Sequence, residues 1–342
     1  MNSARCAAAL ALLIMGPGCD AVQRTRPASG DVTSLIIVAV DTLWAEVGAE
    51  VQAALEPRIF TVRDEKAFEV THVSPLEGTW LELRQFKQVL VVGTAADGWV
   101  SPVVAGVEGA GVPSGLPRLA ERKDVWARGQ VVTAIVLPAD GAAEALRALL
   151  APLGARLDER FRAHVLSRMF LSEANTALRD SLASRAGFSL LLPRIYRPEQ
   201  IPIEGANDAF VFRNATEVGG QLSRAIVVTW RAGVAPVDSA ALVAWRDALV
   251  PHVHSFAQVT GRDRLDTRPL DRQDGGIEVH GIWSSADPAF PAAGPLLLRA
   301  IPCPAGDRTY FVEGWLYAPG RSKYEYMIQY QQLLDSFACG AG

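Results

Sequence analysis

The chain has 342 residues, 49% of them hydrophobic and 20% charged, a globular composition that excludes a disordered or fibrous protein. Its formal net charge of −4 at pH 7 excludes the broad basic surface on which a nucleic-acid binder depends, so no nucleic-acid partner is expected. A chain of this length buries a large core without metals or several disulfides, as one large domain or two moderate ones.

The N-terminus carries one positive charge, Arg5, then the apolar run Ala7 to Met15 and the stretch "IMGPGCD". The run is too short for a span of about 20 residues and reads as a signal peptide, residues 1–18. Gly18 before Cys19 matches a lipoprotein signal, in which the cysteine receives diacylglycerol. The alternative is ordinary cleavage with Cys19 at −3 and Ala21 at −1, which releases a soluble chain. Residues 19–33 are polar, contain Pro27 and Gly30, show no periodicity and read as a flexible tether. Of four cysteines, Cys6 falls in the signal and Cys19 is lipidated or lost. Cys303 and Cys339 remain, and in an oxidising compartment a disulfide between them is the economical expectation, with two buried thiols as the alternative.

The folded body divides into an α/β half, residues 34–187, and a strand-rich half, residues 188–342. "SLIIVAV" predicts a strand, and Leu43, Val47, Val51 and Leu55 a helix capped by Asp41 or Thr42 and closed by Pro57. "RIFTVRDEKAFEVTHVS" reads as extended segments, "PLEGTWLELRQFK" as a second helix and "QVLVVG" as a buried strand. Thr94 to Arg118 is the expected long loop. "DVWARGQVVTAIVLPADGAAEALRALL" repeats strand into helix, with an interruption at Pro152. Leu157, Phe161, Val165 and Met169 then form one helical stripe that continues to about Ser184 and stops at Gly187. In the second half "FSLLLP", "AFVFRN", "AIVVTW", "GIEVHGIWSS", "GPLLLRAIPC" and "TYFVEGWLYAP" predict strands. A helix from Ser239 to about Val250 lies among them, and "SKYEYMIQYQQLLDSF" predicts a last one. Strands at short spacing indicate antiparallel pairing, so the expected fold class is α+β, mainly antiparallel sheets covered by helices, with two similar subdomains as a possible arrangement.

Chemistry-bearing motifs are sparse. No Gly-x-Ser-x-Gly elbow occurs, and "GVEGAGVPSG" lacks the Gly-Lys-Ser/Thr ending of a phosphate loop. His252 and His254 share a face if extended, as two metal ligands would, but no third ligand stands at a recognisable spacing, so neither metal nor cofactor is expected. "DRQDGG" lacks the calcium-loop pattern and reads as a hairpin turn. Glu278 and His280 alternate on one side of a strand, with Glu313 placed similarly across a hairpin. This is a possible acid/base pair, or a structural cross-strand pair. Trp283, Tyr310, Phe311, Trp315 and Tyr317 read mainly as core, or as a one-sided aromatic patch for peptide or glycan.

The stretches "ERKDVWARGQVVTAIVLP", "LIIVAVDTLWAEVGAEV" and "EGWLYAPGRSKYEYMIQYQQLLDSF" resemble the bacterial domain-of-unknown-function family 4837 over nearly all of the mature chain. Asp124, Trp126 and Gln130 in the first, and Tyr317, Ala318, Pro319 and Lys323 in the last, carry the resemblance. Gly294 and Pro295 match a Met-Gly-Gly-Pro-Phe-like turn of that family, whose other residues differ here. The resemblance implies an envelope lipoprotein lipidated on Cys19 and brings no activity or substrate. The expectation is an exported, membrane-anchored lipoprotein of the cell envelope with no transmembrane helix in the mature chain. It serves as a non-enzymatic binding or assembly module for an unknown protein or small molecule. The alternative is an envelope hydrolase whose polar site in the C-terminal half brings Glu278, His280 and Glu313 together.

Overall fold

The computed structural model describes residues 26–105, 116–214 and 222–340. The signal stretch, Cys6, Cys19 and the glycine-rich "GVEGAGVPSG" lie outside them. The first half runs β1 (Ser34–Val38), α1 (Asp41–Leu55), β2 (Arg58–Phe60), β3 (Asp64–Lys66), β4 (Glu69–Val73), α2 (Trp80–Leu83), β5 (Gln88–Gly93), α3 (Ser101–Val104), β6 (Arg118–Lys123), β7 (Val131–Val136), α4 (Ala142–Met169) and α5 (Thr176–Arg185). Five of these strands form a sheet of order β4-β1-β5-β7-β6, parallel except for the edge strand β6.

This parallel sheet departs from the antiparallel expectation for the first half. Helices separate β1 from β4, β4 from β5, and follow β7, and such crossovers return the chain in the same direction. The uninterrupted apolar runs of β1 and β5 fit, because both faces are covered. Leu35 and Ile37 face α1 and α4, whereas Ile36 and Val38 face Trp80 of α2 and Val103 and Val104 of α3.

The second half runs β8 (Phe188–Ser189), β9 (Arg197–Ile201), β10 (Ala209–Asn214), β11 (Ser223–Ala232), α6 (Ser239–Val253), β12 (Gln258–Thr260), β13 (Asp266–Pro269), β14 (Ile277–Ser285), β15 (Ala293–Cys303), β16 (Arg308–Tyr317), α7 (Tyr324–Asp335) and β17 (Ala338–Cys339). Eight strands form one antiparallel sheet of order β12-β14-β15-β16-β11-β10-β9, with β13 also on β14. α7 covers one face through Tyr326, Tyr330 and Leu334, and α6 the other through Leu242, Leu249 and Val253. The molecule is α+β, but its two halves are built on different sheets, one largely parallel and one antiparallel.

Several local expectations need correction. α1 begins after Val40, so neither Asp41 nor Thr42 caps it, and Asp41 instead lies in the first turn, where its charge opposes the helix dipole favourably. The second predicted helix shrinks to the four residues of α2. Pro152 does not interrupt α4, because it lies on the exposed face while Leu150 and Leu153 stay buried. The helix ends at Met169, where Glu173 takes a positive φ of 64° and the Asn175 side chain accepts the Leu178 N–H at 3.1 Å to start α5. Residues 26–33, expected as tether, are bound to the body: Ala28 N–H donates to Arg128 O at 2.8 Å and Ser29 N–H to Gln85 O at 3.0 Å.

Candidate functional site: a crevice at the carboxyl edge of the parallel sheet

From β1 the chain passes along the α1 face to β4 on one side, then along the opposite face past β1 to β5 on the other. The segments leaving β1 and β5 therefore diverge to opposite faces, and this is where an open α/β sheet leaves a crevice at the carboxyl ends of its strands. A cavity of about 580 Å³ lies there. Val40 and Leu43 follow β1, Gly93 and Thr94 end β5, and Pro138 and Ala139 follow β7 to line it. The volume is that of a small-molecule site.

Local chemistry keeps the crevice open. A side chain at Gly93 would collide with the Asp97 carboxylate, which accepts the Thr94 N–H at 2.7 Å and closes the loop after β5. Trp99 forms part of the wall, its indole N–H donating to Val92 O at 2.9 Å. Gly141, with φ +70°, turns the chain into α4. The first turns of α1 and α4 receive no side-chain cap from Val40 or Gly141. Glu46, Asp97 and Glu144 give the lining an acidic character, and Arg147 beside them is engaged by Glu50 at 2.9 Å, Glu144 at 3.7 Å and Glu46 at 3.8 Å. The alternation of strands and helices in residues 34–169 was the available sequence signal, but an antiparallel reading of this half leaves no common carboxyl edge.

The polar residues singled out in the C-terminal half do not converge. Glu278 pairs in register with Arg299, which pairs with Val312, so Glu313 is one residue out of phase and points through the opposite face. On the α7 face, Glu278 binds Arg299 at 2.6 Å, Arg268 and His280, the last at 2.8 Å. Burial pushes the Glu278 carboxyl up, but His280, Arg299 and Arg268 outweigh it and hold it at about 2. On the α6 face, Glu313 accepts from Arg246 Nε at 2.7 Å and lies 3.3 Å from His254 Nε2. Arg246 also donates to Thr260 Oγ1 at 2.9 Å and Gln258 Oε1 at 2.6 Å. The Glu313 carboxyl, pushed up by burial, is carried down to about 2 by Arg246 and His254. In both clusters the carboxylate is committed to arginine and histidine in an ion-pair network that joins helix to sheet.

His252 and His254 separate at the end of α6. His254 is buried against Glu313 and Trp315, whereas His252 is exposed at a second cavity near Trp230 and Trp245. No group of three His, Cys, Asp or Glu side chains placed to hold a metal occurs among the described residues. "DRQDGG" forms the turn between β13 and β14, with Gly275 and Gly276 at positive φ. Trp283, Tyr310, Phe311 and Trp315 are buried core, and Trp283 stacks on Trp315 at 4.8 Å. Gly294 lies under Trp283, where a Cβ would collide with the Leu316 carbonyl. Cys303 and Cys339 form a disulfide with a Cα–Cα distance of 5.7 Å, and Cys19 lies outside the described residues. No helix among the described residues is long and apolar enough to cross a membrane.

Two of the solved structures that this chain is similar to illustrate the likeness. One is the solution structure of cyanobacterial PsbP (CyanoP) from Synechocystis sp. PCC 6803, with 12% identity, 46% of this chain and 88% of that chain covered, and a TM-score of 0.28. The other is the Ran-binding protein Mog1p of Saccharomyces cerevisiae, with 12% identity, 45% and 90% covered, and a TM-score of 0.29. No curated protein matches the sequence. Residues 28–169 match a domain of unknown function, DUF8532, so the marks Asp124, Trp126 and Gln130 fall in a different family model from those of the C-terminus. Over residues 251–336 the chain matches the family that its sequence resembles, the domain of unknown function DUF4837.

Proposed function

We propose that the chain is an exported lipoprotein of the cell envelope, anchored through Cys19, whose N-terminal half binds a small molecule in the crevice at the carboxyl edge. The crevice at the divergence of β1 and β5 carries this reading, because apolar walls from Val40, Leu43, Trp99 and Leu137 meet a polar set of Glu46, Asp97, Glu144 and Arg147, the mixture that orients a bound small molecule. The ion pairs of Glu278 and Glu313 favour binding over hydrolysis, since each carboxylate is already committed to arginine. Gly18 and Cys19, with the preceding apolar run, support the anchor.

The test exposes purified protein to the small-molecule fraction of an envelope extract and identifies retained compounds by mass spectrometry. Ala139→Trp, an exposed position on the crevice wall, fills the space without touching the core. A compound retained by the native chain and lost from this variant supports the reading. Equal retention by both removes the crevice as the site. The mass of the N-terminal peptide from the membrane fraction tests the anchor separately: diacylglycerol on Cys19 supports it, and an unmodified start near Val22 overturns it.

A further inference from the structure

The chain enters the folded body at a defined place. Arg128 N–H donates to Arg26 O at 2.9 Å and Lys87 N–H to Ser29 O at 2.9 Å. Lys87 directly precedes β5 and Arg128 stands three residues before β7, so the N-terminal segment is fastened to the amino edge of the parallel sheet. The crevice opens at the other edge.

The two edges differ in charge. At the amino edge, Arg26, Arg84, Lys87, Arg122, Lys123 and Arg128 are exposed or half-buried. Asp31, Glu69, Glu82 and Asp124 are exposed acids there, while Glu56 is committed to Lys66 and the Val70 N–H, and Glu121 to Arg156 and Arg160. At the carboxyl edge the balance is reversed: Asp41, Glu46, Asp97, Asp140 and Glu144 surround the crevice, against the half-buried Arg118 at the start of β6 and Arg147, which Glu46, Glu50 and Glu144 share. The edge at which the chain enters the body at Arg26 is thus the more basic of the two, and the crevice edge the more acidic.

We infer that the amino edge of the parallel sheet docks on anionic phospholipid headgroups, so that the crevice faces away from the membrane. The inference rests on the anchored reading above. An anionic surface attracts basic side chains within about a Debye length, roughly 8 Å at physiological salt, and repels the acidic rim. Between Cys19 and Arg26 there are seven residue steps, which reach at most about 25 Å, so the anchor keeps the basic edge close to the headgroups. A lipid surface fits the amino edge better than a protein partner because the charges are spread over the approaches to β5, β7 and β6 rather than gathered around one pocket.

The experiment uses the chain from Cys19 onward, lipidated by the cell or coupled at Cys19 to a maleimide phospholipid. The coupled form keeps the test independent of whether the cell lipidates the protein. One fluorophore is placed by azide–alkyne coupling to an azidophenylalanine that replaces Asp31 at the amino edge or Asp140 at the carboxyl edge, two exposed acids whose loss changes charge equally and whose labelling leaves the Cys19 thiol to the lipid. The vesicles are phosphatidylcholine with or without phosphatidylglycerol, and a headgroup-attached quencher reads proximity. In anionic vesicles quenching is expected to be about threefold stronger at position 31 than at 140, and the difference to shrink in high salt or neutral vesicles. The triple variant Lys87→Glu, Lys123→Glu, Arg128→Glu is expected to abolish the difference. Equal quenching at both positions in anionic vesicles, or a difference indifferent to vesicle charge, overturns the docking. An unlipidated N-terminus overturns the anchor alone.

Discussion

Glu313 has no exposed side-chain surface and is held ionised by Arg246 and His254. Its carboxyl lies at about 2 against an ordinary 4.5, and the buried Glu278 on the other face is lowered similarly. A carboxylate depressed in the folded state stabilises above its unfolded value, and that stability is lost as pH falls toward the folded one. Each group therefore contributes on the order of 3 kcal/mol above pH 4.5, lost progressively as the pH falls toward 2. Glu313→Gln leaves Arg246 buried without its counter-charge and is expected to cost roughly 3 kcal/mol at pH 7 while flattening the acid limb of the stability curve. Urea unfolding at stepped pH measures both, and an unchanged acid slope would contradict the role given to Glu313. The signal for this network was present in the sequence. Arg246 interrupts the helical stripe of Leu242, Leu249, Val250 and Val253, and a lone charge on a buried stripe requires a buried partner. The partner was not legible, because the facing of Glu313 depends on a register that a one-residue shift inverts.

At the scale of elements, the disulfide joins the end of β15 to the short β17 that follows α7. The enclosed segment contains β16 and α7, the centre of the antiparallel sheet and the helix that covers it. Cross-linking across a separation of 36 residues restricts the unfolded chain and stabilises by about 3–4 kcal/mol. Cys303→Ser with Cys339→Ser is expected to lower stability by that amount in denaturant unfolding. A loss well below 1 kcal/mol would mean that strand pairing and α7 packing already confine this segment in the unfolded ensemble. The strands of this half were legible because their alternation and short connections are local properties. The direction of the first sheet was not, since parallel pairing joins strands distant in sequence. The break after Met169 was obscured because Asn175 restarts a helix with nearly the same apolar spacing.

The two sheets are fastened to one another by contacts that no local pattern reveals. Tyr324 and Ile328 of α7, a helix of the second half, are buried in the core of the first beside Phe161 of α4. Tyr324 also donates to Asp158 of α4. From the other direction the β2–β3 hairpin reaches the second half: Glu65 accepts from Lys323 Nζ at 2.9 Å and from Lys323 N–H at 2.7 Å, and Arg264 stacks on Phe60 at 3.8 Å. Lys323 was recognised in the sequence only as a mark of family resemblance, and the structure gives it a physical role as the buried start of α7. Shared core and buried ion pair together require the halves to unfold as one unit, since separating them exposes Tyr324 and Ile328 and strands the Lys323 ammonium. Calorimetry of the native chain is expected to show a single transition whose van't Hoff and calorimetric enthalpies agree. Glu65→Ala removes the carboxylate from a site where Lys323 remains buried, at a cost of roughly 3 kcal/mol, and is expected to split the transition in two. Two transitions in the native chain would show that the α4–α7 contact is too weak to couple the sheets. A single transition in both proteins would assign the coupling to the shared apolar core rather than to the ion pair.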